Sequence, residues 1–251
     1  MSLDIQAIID GWEFRPNEIS VRKILGQDGK WKVQLRLDLG ILQMELYGRP
    51  DGTKPFGFES LLEYYKNNLR KFRQENGTED NFHLDSEDCS ALQRESIQYY
   101  HRYLSLFQLK DFLHVQNDTR RNLDVINLVK KFAIDEKDVW GFEQYRPYVQ
   151  MMYTRAKASI CLVKKDYEQA IIEIENGVEE IQKFFQGYGQ SHMSEQSLEI
   201  KFLENWRNEI LNKRPLSTEE KLEKQLSEAV ENEAYEEAAL LRDQLNMLRS
   251  K

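Results

Sequence analysis

The side chains able to do chemistry are scattered along this 251-residue chain. Its four histidines, His83, His101, His114 and His192, fall in no pairing with the close spacing that gathers imidazoles around one metal ion. The two cysteines, Cys89 and Cys161, lie far apart with no nucleophile signature around either, and read as reduced structural thiols. No Gly-x-Ser-x-Gly elbow occurs, and Gly187-Tyr188-Gly189 reads as a helix stop and loop, not a phosphate cradle. The expectation is a protein without catalytic or metal-ligating residues and without a cofactor. Recognition chemistry is the alternative. Near the end of the sequence Tyr235, Leu240, Arg242 and Met247 combine an aromatic, two exposed-face apolar residues and a planar cation. Those are the types that anchor protein interfaces.

The elements that must position them follow Pro215. Ser217-Thr218-Glu219-Glu220 is a capping box, a hydroxyl followed three residues later by a glutamate. A first helix then sets Leu222, Leu226, Ala229 and Val230 on one face. Asn232-Glu233-Ala234-Tyr235 reads as a reversal. A second helix sets Ala238, Leu241, Leu245 and Leu248 at the three-four spacing of a coiled-coil seam. Folded back, the two seams face each other. Leu240 and Met247 fall off that seam, and one hairpin cannot bury both stripes. Tyr235 is expected to cover the open end of the seam. Arg242 is expected to pair across the hairpin with Glu223 or Glu228, or with an acid on a partner. From Ser217 onward nine acidic residues face five basic ones, which favours a protein target over nucleic acid.

In order, Leu222, Leu226, Ala229, Tyr235-Glu236, Ala238-Ala239, Leu241-Arg242-Asp243, Leu245 and Leu248 resemble the UVR motif of the excision-repair proteins UvrB and UvrC. Tyr235 stands where phenylalanine is commoner. The resemblance implies a protein-docking hairpin. Such motifs also occur in Clp-type chaperone ATPases, so the motif by itself does not imply DNA repair. The partners it implies are another protein, one carrying a UVR motif or a Clp-type chaperone, or a second copy as a homodimer.

The rest of the chain must carry this hairpin. Residues 1–57 hold seven of the twelve glycines and three of the five prolines, which argues against long helices there. From Trp31 to Ile41 every odd position is apolar, the period of a half-buried strand. After Gly40 the phase flips to Leu42, Met44 and Leu46, which reads as a bulge at Gly40-Ile41. Ile19 to Leu25 is a second strand, joined through Gly26-Gln27-Asp28-Gly29. Arg49-Pro50-Asp51-Gly52 closes the sheet. Residues 58–212 read as helices, with a loop over 73–85. Within them Ala158 and Ala170, twelve positions apart with Asp166-Tyr167 between, resemble a tetratricopeptide repeat, although Cys161 replaces its usual first-helix aromatic. The expected fold is therefore mainly α with a small N-terminal antiparallel sheet: sheet region 1–57, tetratricopeptide-like body 58–212 and UVR hairpin 217–251.

Composition sets the outer limits. The formal net charge is −8 with 31% charged residues, and no apolar run nears the length of about 18 residues needed to span a membrane. A bacterial-type cytoplasmic adaptor or scaffold that docks a partner through the hairpin is the leading expectation. The alternative is an accessory factor of DNA repair or stress response that contacts nucleic acid through the N-terminal region, where Arg36, Arg49 and Lys54 could form a basic site. Nucleic-acid and membrane partners are otherwise not expected.

Overall fold

A short helix, α1 (Gln6–Ile9), precedes the strands β1 (Val21–Leu25), β2 (Trp31–Leu37) and β3 (Gly40–Glu45). A 3-10 turn at Pro55–Gly57 leads into the helices α2 (Leu61–Asn76), α3 (Ser86–Gln108), α4 (Phe112–Phe132), α5 (Glu136–Glu143), α6 (Arg146–Val163), α7 (Tyr167–Gly187), α8 (Ser191–Ser194) and α9 (Leu198–Lys213). The last two are α10 (Thr218–Glu231) and α11 (Tyr235–Arg249). This computed structural model describes residues 4–215 and 218–249. The fold is α+β, mainly helical with a small N-terminal antiparallel sheet. The chain divides into two compact units, residues 1–207 and 208–251.

The sheet is antiparallel throughout, in the order β1-β2-β3, with Val21 opposite Leu35 and Leu35 opposite Leu42. Val33, Leu35 and Met44 are buried on one face, and β2 lies against α3. The other face carries polar side chains. Arg22 donates to Gln34 at 2.7 Å, Gln34 donates to Gln43 at 2.9 Å, and the Arg22 guanidinium lies 4.0 Å from the Trp12 ring centre.

The phase reversal has a different cause from the one expected. Leu37 pairs with Gly40, so Asp38 and Leu39 form a two-residue turn and Trp31–Leu46 is a hairpin, not one bulged strand. Leu39 sits at the tip and is 91% exposed. An apolar residue at a turn tip continued the alternation through the reversal and disguised it as a kink.

Local signals set the helix ends. Ser60 caps α2 by accepting from the Glu63 amide at 3.2 Å, and Gly77, with φ of 72°, ends it. That helix runs one turn further than the expected loop allowed. Asp85 and Asp88 form a reciprocal capping box at α3, at 2.9 and 3.2 Å. Leu62, Leu84, Leu92, Val125 and Val129 are almost fully buried in the core between α2, α3 and α4. Leu84 is pinned there by backbone bonds to Phe132 and Ile134.

The turns α3–α4 and α6–α7 are built alike. Asp111 N–H donates to Leu106 O at 2.9 Å and Lys110 N–H to Phe107 O at 3.0 Å. Asp166 N–H likewise donates to Cys161 O at 3.0 Å and Lys165 N–H to Leu162 O at 2.9 Å. This pair of bonds is the Schellman arrangement, which needs a left-handed residue where glycine is the usual choice. Here that residue is a lysine, Lys110 at φ 59° and Lys165 at φ 62°. Both carry a Cβ where it is disfavoured. Replacing Lys165 with Gly is expected to raise unfolding stability by about 0.5–1 kcal/mol, after the greater chain entropy of glycine is set against the relieved strain. Urea unfolding checks this, and an unchanged or lowered midpoint would contradict it.

Two charged clusters tie the sheet region to the helices. Arg102 grips Asp118 with two hydrogen bonds of 2.7 and 2.8 Å, both residues buried. Its remaining nitrogen donates to Glu45 O at 3.0 Å and Gly48 O at 2.7 Å, just after β3. Glu95, fully buried, accepts from the Leu61 amide at 2.8 Å and pairs with Arg121. Arg49 Nε lies 2.9 Å from the same carboxylate, close enough for ion pairing though not aligned as a hydrogen bond. Thus Gly48-Arg49-Pro50-Asp51-Gly52, richer in special residues than a plain sheet needs, is a plug that seats on α3.

The same contacts decide the candidate basic site. Arg36 donates to Trp12 O and Gly40 O, both at 3.0 Å, and Lys54 pairs with Glu59. With Arg49 held by Glu95 and Asp51, each of the three cations has its own partner. Arg49 and Lys54 line one open pocket together with Glu45 and Glu59, and Arg36 is not part of it.

Candidate docking hairpin

Helices α10 and α11 pack antiparallel. The reversal is the Schellman turn again. Ala234 N–H donates to Ala229 O at 2.8 Å, Glu233 N–H to Val230 O at 3.1 Å, and Glu233 takes φ of 56°. The turn therefore occupies only Asn232–Ala234, and Tyr235 opens α11. Ser217, the expected cap hydroxyl of α10, lies outside the described residues.

Along the hairpin, Ala229, Ala238 and Leu245 are buried, while Leu222, Leu226 and Leu241 are half-buried. Leu248, at the open end, is more exposed than these, and Val230 lies half outside. Small residues at Ala229 and Ala238, next to the turn, suit two helices diverging from a tight reversal, with leucines filling the wider end.

The residues proposed for partner contact sit elsewhere. Tyr235 is 68% exposed, Leu240 67% and Met247 69%. Leu240 and Met247, two helical turns apart, share the side of α11 that faces away from Ala238 and Leu245. Tyr235 does not cover the seam. With Leu240 it lines an open depression of about 620 Å³ whose rim carries Glu233, Glu236 and Glu237. Arg242 is exposed and pairs with its neighbour Asp243 at 3.3 Å, so the expected cross-hairpin pairing is not the one formed. Arg249 takes that role, with Nε 2.6 Å from Glu219 and Nη2 2.5 Å from Glu223. The two carboxylates raise its already high pKa further. The signal was available in the sequence. An arginine in the last turn of the second antiparallel helix faces the first two turns of the other, where Glu219 and Glu223 stand.

This geometry defines a class: an antiparallel two-helix module with a closed apolar seam and an acidic, aromatic outer surface. The family model described as the UvrB/uvrC motif (UVR) matches residues 220–251, so the chain carries a UVR motif on these helices. No curated protein and no solved structure matches the chain. Among the described residues no helix is long and apolar enough to cross a membrane, and no group of three or more His, Cys, Asp or Glu residues is placed to hold a metal ion.

Proposed function

We propose that this protein is a non-enzymatic adaptor that docks a partner protein through the outer face of its UVR hairpin, with residues 58–212 as a tetratricopeptide-like scaffold. The observation that carries the reading is the exposure of Leu240 and Met247 on the side of α11 turned away from a seam that is already filled. Two large apolar side chains in one register on a small module are what a partner surface would cover. The depression beside Tyr235 and Leu240 specifies that partner further. Its rim holds three glutamates, so the complementary surface is apolar at its centre and carries Lys or Arg around it. A second copy would bring the same acidic rim against itself, which favours a different protein.

The test uses the full-length chain as bait. A recovered protein is purified, shown to bind directly, and titrated at low and high salt. Docking of an apolar centre ringed by a few ion pairs predicts a moderate salt dependence, whereas contacts to many phosphates would make affinity collapse. A steep collapse, or binding to nucleic acid alone, would favour the accessory-factor reading and overturn this one. Sedimentation of the protein by itself reports whether a second copy is the occupant.

A further inference from the structure

Among the described arginines that are not exposed, Arg155 of α6 is the one without an oxygen partner. Each of the others meets a carboxylate, a side-chain amide or a backbone carbonyl. Arg155 Nη1 donates only to Met152 Sδ, a weak acceptor, at 3.4 Å. The guanidinium carbon lies 4.2 Å from the ring centre of Phe107 on α3 and 4.6 Å from that of Phe202 on α9. Contact with a ring engages the face of a guanidinium and leaves its N–H edge free for an anion. No Arg155 nitrogen is among the buried atoms left without a partner, so its unbonded N–H groups open to solvent. Burial lowers the pKa of Arg155, and the group that opposes this is the hydroxyl of Tyr148, itself pushed up to about 12 and so neutral at pH 7. The charge is therefore held in place by aromatic rings and met by no counter-charge.

A second observation concerns what lies beside it. Tyr148 and Arg155 are two turns apart on one face of α6, and Tyr100 and Phe107 are two turns apart on one face of α3. The two helices meet at both levels, Tyr100 with Tyr148 at 6.2 Å between ring centres and Phe107 with Arg155. At the tyrosine level a half-open cavity of about 460 Å³, the size of a small-molecule site, lies between α3, α4, α5 and α6. No Asp, Glu, Lys or Arg lines it, so its wall offers a ring apolar and aromatic contact but offers an anion nothing. The cation stands at the next level of the same groove. Helical side chains lean toward the N-terminus of their own helix, which carries the Arg155 guanidinium toward Tyr148. A molecule with a ring at one end and an anionic group at the other matches both levels.

We propose that Arg155 anchors a site for a small aromatic carboxylate, its carboxylate on the open N–H edge of the guanidinium and its ring against Tyr100 and Tyr148. The site lies in the helical body, and its test does not depend on the docking reading. The probe is 3-(2-naphthyl)propanoate, whose short arm separates ring from carboxylate, titrated into the full-length protein by equilibrium dialysis at neutral pH. One site per chain is expected. The corresponding amide keeps the ring and the shape and loses only the charge, and should bind more than about tenfold more weakly. That comparison uses the wild-type protein and holds whatever a substitution does to the fold. Arg155→Gln removes the cation and should bring the acid down to the affinity of the amide, again a loss of more than about tenfold. Propanoate, the same acid without its ring, should not displace the probe at about tenfold excess over it. The proposal is overturned if wild type does not bind the acid at about 1 mM, if the amide binds as well as the acid, if Arg155→Gln binds the acid as wild type does, or if propanoate displaces it.

Discussion

Replacing Arg102 with Leu is expected to cost about 3–5 kcal/mol, the range for breaking a buried ion pair from one side. The side chain does four things at once. It makes two hydrogen bonds to Asp118 and one each to the carbonyls of Glu45 and Gly48. Burial already pushes the Asp118 carboxyl above its ordinary range, and Arg102 opposes that push. Without the guanidinium, Asp118 must either take up a proton or remain charged and unpaired in the core. The two carbonyls lose their donor as well, and the sheet region loses its main polar tie to α3. A chain of this size should melt about 6–20 °C lower. Lys should not rescue, because an ammonium cannot make the planar two-point contact and still reach both carbonyls. Arg102→Leu combined with Asp118→Leu should recover part of the loss, since no charge is then stranded, while the carbonyls stay unmatched. A single-variant cost under about 1 kcal/mol would show that the pair is not structurally coupled in this way.

The second large effect concerns Gly177, where α7 packs against Thr154 of α6. A Cβ built at Gly177 would stand 2.7 Å from Thr154 Cβ and nearer still to its Oγ1 and Cγ2. Thr154 is itself buried, so neither helix can yield without moving its neighbours. Gly177→Ala is therefore expected to destabilise by about 1–3 kcal/mol, even though alanine is the better helix former. Melting should fall by about 2–12 °C. Thr154→Ala in the same chain removes the two nearest atoms and should return part of the stability, which a double-mutant cycle measures as a coupling between the two sites. A neutral or stabilising Gly177→Ala would mean that the helices are not in contact there.

These two sites mark where the sequence could be read and where it could not. The hairpin was legible because its signal is local. Heptad spacing, a short break and Tyr-Glu-x-Ala-Ala-x-Leu-Arg-Asp in order place α10 and α11, and Ala229, Ala238 and Leu245 are buried along it. The strands were legible for the same reason, except at Asp38-Leu39, where an apolar turn residue kept the alternation going through a reversal. Gly177 looked like an ordinary glycine inside a helical stretch. Its role depends on a threonine from another helix 23 positions away. The pairing of Arg102 with Asp118, and of Glu95 with Arg49 and Arg121, likewise depends on three-dimensional neighbours that no spacing rule names. Arg249 differs from these, because its place in the last turn of the second hairpin helix, opposite the start of the first, marks it in the sequence as the arginine that meets Glu219 and Glu223.

The docking account stands on Leu240 and Met247 being an outward surface with a function of its own. Its most direct test is to change both to Ser in the full-length protein and measure two quantities side by side, the dissociation constant for the purified partner and the melting temperature. Both side chains are largely exposed, so the fold should be indifferent, with melting within about 2 °C of wild type. Loss of two apolar anchors should weaken binding by more than about tenfold. Unchanged binding together with a large loss of thermal stability would contradict the account, because it would assign this stripe to packing within the chain and not to a partner.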